Sequence, residues 1–80
     1  MSIKQPSEAI KKLLQEKVER SYATEIANGN QYSISYSYEQ GQQKAVVSFY
    51  SASSTATAIY ELKTHNNGEP YWYMVRDWND

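Results

Sequence analysis

The spacing of apolar residues changes once along the chain, near Gly29. Before that point, apolar side chains recur every fourth residue, and charged or amide side chains occupy the opposite positions. This spacing places the apolar series on one side of an α-helix. Ser7 is a suitable N-cap, and Asn28-Gly29 is a suitable stop. The pattern therefore predicts an amphipathic helix over residues 7–27. The apolar series is Ile10, Leu14, Val18, Tyr22 and Ile26.

After Gly29 the period of the pattern becomes two, which is the side-chain period of a β-strand. The clearest run is residues 31–38, where tyrosine or isoleucine alternates with serine. Three more strand-like runs cover residues 43–51, 55–63 and 69–78. Short polar segments separate the runs, and the last of these contains Asn-Gly, a strong hairpin signal.

The order of these elements predicts the fold class. Short connections between successive strands require antiparallel neighbours, so the four strands should form a meander. One N-terminal helix then packs on the sheet, which gives a two-layer α+β fold with the order helix-β-β-β-β. A chain of 80 residues is expected to form a single domain, residues 1–80. Cysteine is absent, so no disulfide supports the fold.

A single helix covers one face of such a sheet, so the second face should be open. Antiparallel strands with one wet face alternate apolar and polar residues, and the first strand obeys this rule. The fourth strand does not, because the five residues from Tyr71 to Val75 are all aromatic or apolar. Either this strand is central and curled into the helix groove, or something outside the chain covers its outer side.

The chain is rich in aromatic residues, which make up 14% of the sequence, and these residues are candidates for partner binding. Eight tyrosines and two tryptophans are present, and both residue types, with arginine, are enriched at the centres of protein interfaces. We expect a partner-binding surface on the aromatic sheet. Since the pattern does not identify the face that the helix takes, part of this set is expected to be core. The candidate contact residues are Tyr36, Tyr38, Tyr50, Tyr71, Trp72, Tyr73, Arg76 and Trp78.

No pattern in the chain predicts catalysis. His65 is the only histidine and lies in a predicted hairpin turn, where it should face solvent. Glu61, Glu69 and Asp77 lie near strand ends, and their spacing matches no metal-ligand motif. None of the three glycines fits a phosphate-binding loop. We expect a non-enzymatic protein without metal or cofactor.

Charge and hydropathy restrict the partner and the compartment. The net charge is −1, and residues 29–80 carry three cations against five carboxylates. Single-stranded nucleic acid could stack on sheet tyrosines, but phosphate contacts supply most of such affinity, so this partner is disfavoured. No apolar run approaches the roughly 18 residues of a membrane span, and Lys11 and Lys12 interrupt the first apolar cluster. A soluble, cytoplasmic protein is expected.

These observations leave three hypotheses. The leading one is a small protein that binds another protein and acts by occlusion, as an inhibitor or immunity protein of phage or bacterial type does. The second is a homo-oligomer, such as a homodimer, with an assembly role, whose sheets pack face to face or edge to edge. The third is a small-ligand pocket between helix and sheet, lined by Tyr22, Tyr60 and Trp72.

Overall fold

The structure, a computed structural model, describes residues 6–51 and 55–77. Two consecutive helices precede four strands, which form one antiparallel sheet in the order β1-β2-β3-β4. The predicted α+β meander is therefore confirmed. The elements are α1 Glu8–Ser21, α2 Ala23–Ala27, β1 Gln31–Glu39, β2 Gln42–Tyr50, β3 Thr55–Thr64 and β4 Pro70–Arg76.

The helical segment begins as predicted but is interrupted at Tyr22. The Ser7 hydroxyl accepts a hydrogen bond from the Ile10 amide at 3.3 Å, which caps α1. At Tyr22 the backbone leaves the helical region, with φ −120° and ψ 31°, and α2 begins at the next residue. Residues spaced by four advance about 40° per step around a helix of 3.6 residues per turn, so the apolar series would drift away from the sheet. The interruption resets the phase, and Ile26 still packs against the core.

The hydrophobic core lies between α1 and the side of the sheet that faces it. Its largest fully buried side chains are Tyr60 and Phe49, and the rings of Tyr22 and Phe49 lie 4.6 Å apart between centroids. In β2, Ala45 lies between Tyr36 of β1 and Tyr60 of β3, so a small residue leaves room for two rings. The buried core residues are Leu14, Val18, Tyr22, Ala45, Val47, Phe49, Ala58, Tyr60 and Trp72.

The two hairpin turns that the structure describes use left-handed backbone in different ways. Between β1 and β2, Gln40 has φ 53° and Gly41 has φ 76°, which is the type I′ pattern of a two-residue hairpin. Between β3 and β4, the Gly68 amide donates to the His65 carbonyl at 2.9 Å, and Gly68 has φ 88°. The predicted Asn-Gly hairpin is present, but only its glycine is left-handed, because Asn67 has no positive φ.

The fourth strand is an edge strand with a bulge, and not a central strand. Tyr60 pairs with Met74, whereas the preceding Ile59 pairs with Arg76, so Val75 is an extra residue in β4. A bulge reverses the alternation beyond it. Strict alternation predicts Arg76 on the same side as Trp72, and this was wrong because the bulge turns Arg76 to the opposite side.

Candidate functional site

One side of the sheet faces away from both helices, and it is termed the outer face. Its residues follow from the register, because they alternate with the buried core positions of the same strands. On β1 this face is formed by serine side chains, on β2 and β3 it carries Val46 and Ile59 among polar side chains, and on β4 it carries two tyrosines. The outer face comprises Ser33, Ser35, Ser37, Lys44, Val46, Ser48, Tyr50, Thr55, Thr57, Ile59, Glu61, Lys63, Tyr71, Tyr73 and Arg76.

The middle of the outer face is a partly buried apolar pair. Val46 and Ile59 lie directly opposite each other on β2 and β3, and both are partly buried by their neighbours. Ser35 and Arg76 flank this pair on the two edge strands. Adjacent strands lie about 4.8 Å apart, so the row forms a continuous strip with an apolar centre and polar ends.

Tyr73 is the most exposed aromatic residue of this face, with 51% of its surface accessible. The Lys63 ammonium lies 5.4 Å from the centre of the Tyr73 ring and 3.6 Å from a carboxylate oxygen of Glu61. Cation–π contact and the ion pair both restrict the lysine stem next to the ring. Tyr73 therefore presents a broad ring from a paired position of β4, with a charged pair at its side.

Tyr71 extends the aromatic surface to the turn between β3 and β4. Its ring stacks on the His65 ring, with centroids 4.0 Å apart and planes inclined by 16°. The His65 amide donates to the Glu69 carbonyl at 2.8 Å, which fixes the backbone of the turn at the residue that carries the imidazole. His65 is exposed, as predicted. Its stacking on Tyr71 was not predicted, because the two residues lie on opposite sides of the turn in the sequence.

The predicted contact residues divide between the two sides of the sheet. Tyr50, Tyr71, Tyr73 and Arg76 lie on the outer face, and Tyr50 is 40% exposed at the end of β2. Trp78 lies outside the described residues. The four outer-face residues come from β2 and β4, the two strands whose sequences are apolar on both sides.

The remaining predicted contact residues are on the helix side. Trp72 is only 3% exposed, and its indole N–H donates to the Ile10 carbonyl at 3.0 Å, so it is a core residue that ties β4 to α1. Tyr36 is partly buried, with its ring centre 6.1 Å from that of Trp72. Tyr38 has the same orientation near the end of β1 but is 41% exposed. Trp72 is therefore part of the core, and Tyr36 is partly covered by its packing on the helix side.

The proposed pocket residues Tyr22, Tyr60 and Trp72 fill the core instead of lining a space; none is more than 5% exposed. The Tyr22 hydroxyl donates to a carboxylate oxygen of Asp77 at 2.5 Å. The Tyr60 hydroxyl is fully buried near the Tyr22 hydroxyl, yet no hydrogen bond of acceptable geometry reaches it from the described residues. Burial, with a smaller contribution from Asp77, raises the pKa of both phenols, so both are neutral at physiological pH.

Two tyrosines of β1 connect the first strand to α1. The Tyr32 hydroxyl donates to a carboxylate oxygen of Glu19 at 2.7 Å, and the Lys11 ammonium lies 5.5 Å from the centre of the Tyr36 ring. Burial, followed by the bond to Glu19, raises the pKa of Tyr32 to about 12. These contacts fix β1 through its helix-side face. The edge of β1 that points away from β2 has no neighbouring strand within the described residues.

Two shallow depressions border α1. One, of about 220 Å³, lies between α1 and β4 and brings the 43% exposed Leu13 near Tyr71, with Lys17, Arg20 and Glu16 at its rim. The other, of about 390 Å³, lies on the solvent side of α1 and is lined by lysine, glutamate and glutamine. Both mix charges of opposite sign, so neither selects a ligand by charge.

Within residues 6–51 and 55–77, no three His, Cys, Asp or Glu side chains come together as metal ligands would. Among the same residues, no helix has the length and apolar character to cross a membrane. No protein-family model matches the chain, and no curated protein or solved structure is significantly similar to it.

Proposed function

We propose that the protein is a small, non-enzymatic binding protein that occludes another protein with its outer face. An inhibitor or immunity protein of phage or bacterial type is the concrete form of this proposal. The observation that carries it is the exposure of Tyr73 on a sheet face to which neither helix contributes. Large exposed aromatic surface on a small domain is typical of an interaction site.

The arrangement around Tyr73 has the features of an interface centre. Tyrosine buries a large area while losing little side-chain entropy, since it has only two rotatable bonds. Pairing with Glu61 of β3 and the neighbouring Lys63 already restrict Tyr73, so little further ordering is needed on binding. Val46 and Ile59 add an apolar centre, and Arg76 adds a planar donor group at the rim.

The charges of the outer face favour a protein partner over nucleic acid. Lys44 lies 3.4 Å from a Glu39 carboxylate oxygen, and Lys63 lies 3.6 Å from one of Glu61. Paired cations leave little positive field to attract phosphates. A partner surface with both polar and apolar groups complements this face better than a uniformly anionic polymer does.

The test is affinity capture followed by measurement of the dissociation constant. Wild-type and Tyr73→Ala proteins are used as bait in lysates of bacteria and of phage-infected bacteria, and recovered proteins are then titrated in pure form. A central tyrosine contributes about 2 kcal/mol, so Tyr73→Ala should weaken binding at least tenfold. Its thermal midpoint should change little, because half of the ring is already exposed.

The matched control is Tyr38→Ala, which makes the same chemical change at a similarly exposed ring on the other side of the sheet. It should leave the affinity for the recovered partner unchanged. Full binding by Tyr73→Ala together with loss of binding by Tyr38→Ala would show that the helix side is the binding surface, and the proposal would be wrong.

A further inference from the structure

The two edges of the sheet differ in how they are protected against pairing with another strand. The β4 edge begins with Pro70, which lacks an amide donor, and it ends with the bulge at Val75 and the charged Arg76. Proline, bulges and charged side chains are the means by which natural sheets prevent edge-to-edge association.

The β1 edge has none of these features. Its nine residues contain no proline and pair with β2 without a break in register. The only charged side chain is Glu39 at the end of the strand, where it pairs with Lys44. Since β1 is the first strand of the sheet order, one side of its backbone has no partner strand within the described residues. Every second residue there presents an amide and a carbonyl group outwards.

The surroundings of β1 leave this edge accessible and ordered. α1 borders β4 along the groove at Pro70–Trp72, and it reaches β1 through side chains on the helix-side face of that strand. Tyr32 and Tyr36 hold β1 through their bonds to Glu19 and Lys11, both on the helix side. An extended strand that is already fixed in this way needs little further ordering to pair with another strand.

We propose that the β1 edge pairs antiparallel with β1 of a second copy, so that two protomers form one continuous eight-stranded sheet. A twofold axis at Ser35 places Ser33 opposite Ser37 and Tyr32 opposite Tyr38 of the other copy. Directly opposite residues of antiparallel strands lie on the same face, so both helical layers lie on one side.

The side-chain chemistry of β1 supports a second copy as the occupant. Pairing about Ser35 brings aromatic rings together on the helix side, where cross-strand aromatic pairs stabilise a sheet. Tyr38, which is 41% exposed, gains an aromatic neighbour. Glu39 lies opposite Gln31, so no like charges meet, and the serines form a polar ladder on the other side. A heterologous strand would have to match the same alternation by chance.

This pairing is independent of the proposed function. The outer faces of two protomers remain open and lie side by side, so a dimer offers two adjacent binding surfaces. Failure of the dimer leaves the role of Tyr73 untouched, and failure of Tyr73→Ala to affect partner binding leaves the dimer untouched.

Sedimentation velocity of the full chain from about 1 µM to about 1 mM tests the proposal, over the range expected for a small interface. Wild-type protein should form dimers that dissociate on dilution. Ser35→Lys and Ser35→Glu each place like charges opposite one another across the axis, and each should raise the dimer dissociation constant at least tenfold. An equimolar mixture of the two variants should restore the dimer, because opposite charges then meet.

Thr57→Lys is the control, because it adds the same charge on the outer face but on β3, inside the sheet. It should leave the dimer intact, whereas a face-to-face dimer would be lost. Amide hydrogen exchange of the wild-type protein gives a second measurement that needs no variant: protection in β1 should fall on dilution while protection in β4 stays constant. A monomeric wild-type protein throughout the range, or a dimer lost in Thr57→Lys and kept in Ser35→Lys, overturns the proposal.

Discussion

Replacing Tyr60 with phenylalanine should stabilise the protein, because it removes an unsatisfied hydroxyl group from the middle of the core. The Tyr60 side chain is fully buried, and its hydroxyl has no hydrogen-bond partner among the described residues. Leaving such a group without a partner costs about 1 to 3 kcal/mol, because its hydrogen bonds to water are lost on folding. Phenylalanine keeps the ring and removes only this penalty.

The expected gain is smaller than the full penalty, because the missing oxygen leaves a small void. Each lost atom contact forfeits about 0.1 to 0.2 kcal/mol, and an oxygen makes several such contacts. A net increase of about 1 kcal/mol in the free energy of unfolding remains. For a domain of 60 to 100 residues this corresponds to a rise of about 4 to 8 °C in the thermal midpoint.

Urea denaturation followed by tryptophan fluorescence measures this change, since Trp72 is buried in the same core. The midpoint should rise without a change in the dependence on denaturant, as expected for a change in stability that leaves the surface exposed on unfolding unchanged. Tyr22→Phe is the contrasting variant. It removes the donor to Asp77 and should lower the free energy of unfolding by about 1.5 to 3 kcal/mol, the range for hydrogen bonds to charged groups.

A loss of 1 kcal/mol or more in Tyr60→Phe would refute this reasoning, because it would mean that the hydroxyl is hydrogen-bonded in the folded protein. The double variant identifies the partner. If the two hydroxyls bond each other, the effects of Tyr22→Phe and Tyr60→Phe should not add, whereas independent groups give additive changes.

Two further predictions concern the β1–β2 turn and alkaline pH. Gln40→Asn should raise the free energy of unfolding by about 0.5 to 1 kcal/mol, because Gln40 has φ 53° and asparagine tolerates left-handed backbone better than glutamine; an unchanged or lower urea midpoint would contradict this. The free energy of unfolding should be constant up to about pH 10 and fall above it. In the unfolded chain tyrosines lose their protons near pH 10. In the folded protein burial raises the pKa of Tyr32 to about 12, and it also raises the pKa values of Tyr22 and Tyr60. Urea titrations at pH 9 and pH 11 measure this, and equal or greater stability at the higher pH would show that the three phenols are not protected by the fold.

The two proposed surfaces occupy different parts of the sheet. The proposed binding surface around Tyr73 uses outer-face side chains of β2, β3 and β4, and the proposed dimer uses backbone groups of the β1 edge. Serine side chains form the outer face of β1, and Tyr73 lies on β4, three strands away from the proposed dimer axis. A protein could therefore bind to Tyr73 and Arg76 without displacing the second copy.

The candidate contact residues lie on both sides of the sheet, because the sequence does not predict which side of β4 is buried. Residues 31–38 alternate serine with tyrosine or isoleucine, which predicts serine on the side away from the core, and the structure places the serines there. Residues 71–75 are apolar on both sides, and Trp72 and Tyr73 are then equivalent as candidates for the core. The structure gives Trp72 3% exposure and Tyr73 51%, a difference that no local pattern contains.

The sequence by itself determined the helical segment, the four strands, their order and their antiparallel arrangement, because periodicity, capping residues and short connections are local properties of the chain. It did not determine the interruption of the helical segment at Tyr22. Only the tertiary structure decided which side of β4 packs on α1, because that choice depends on which aromatic ring fills the space beside Ile10, Leu14 and Val18. It also decided the orientation of Arg76, since one extra residue at the bulge reverses the alternation beyond it. A period of two leaves the assignment of faces open whenever both faces are apolar, and packing against the helix resolves it.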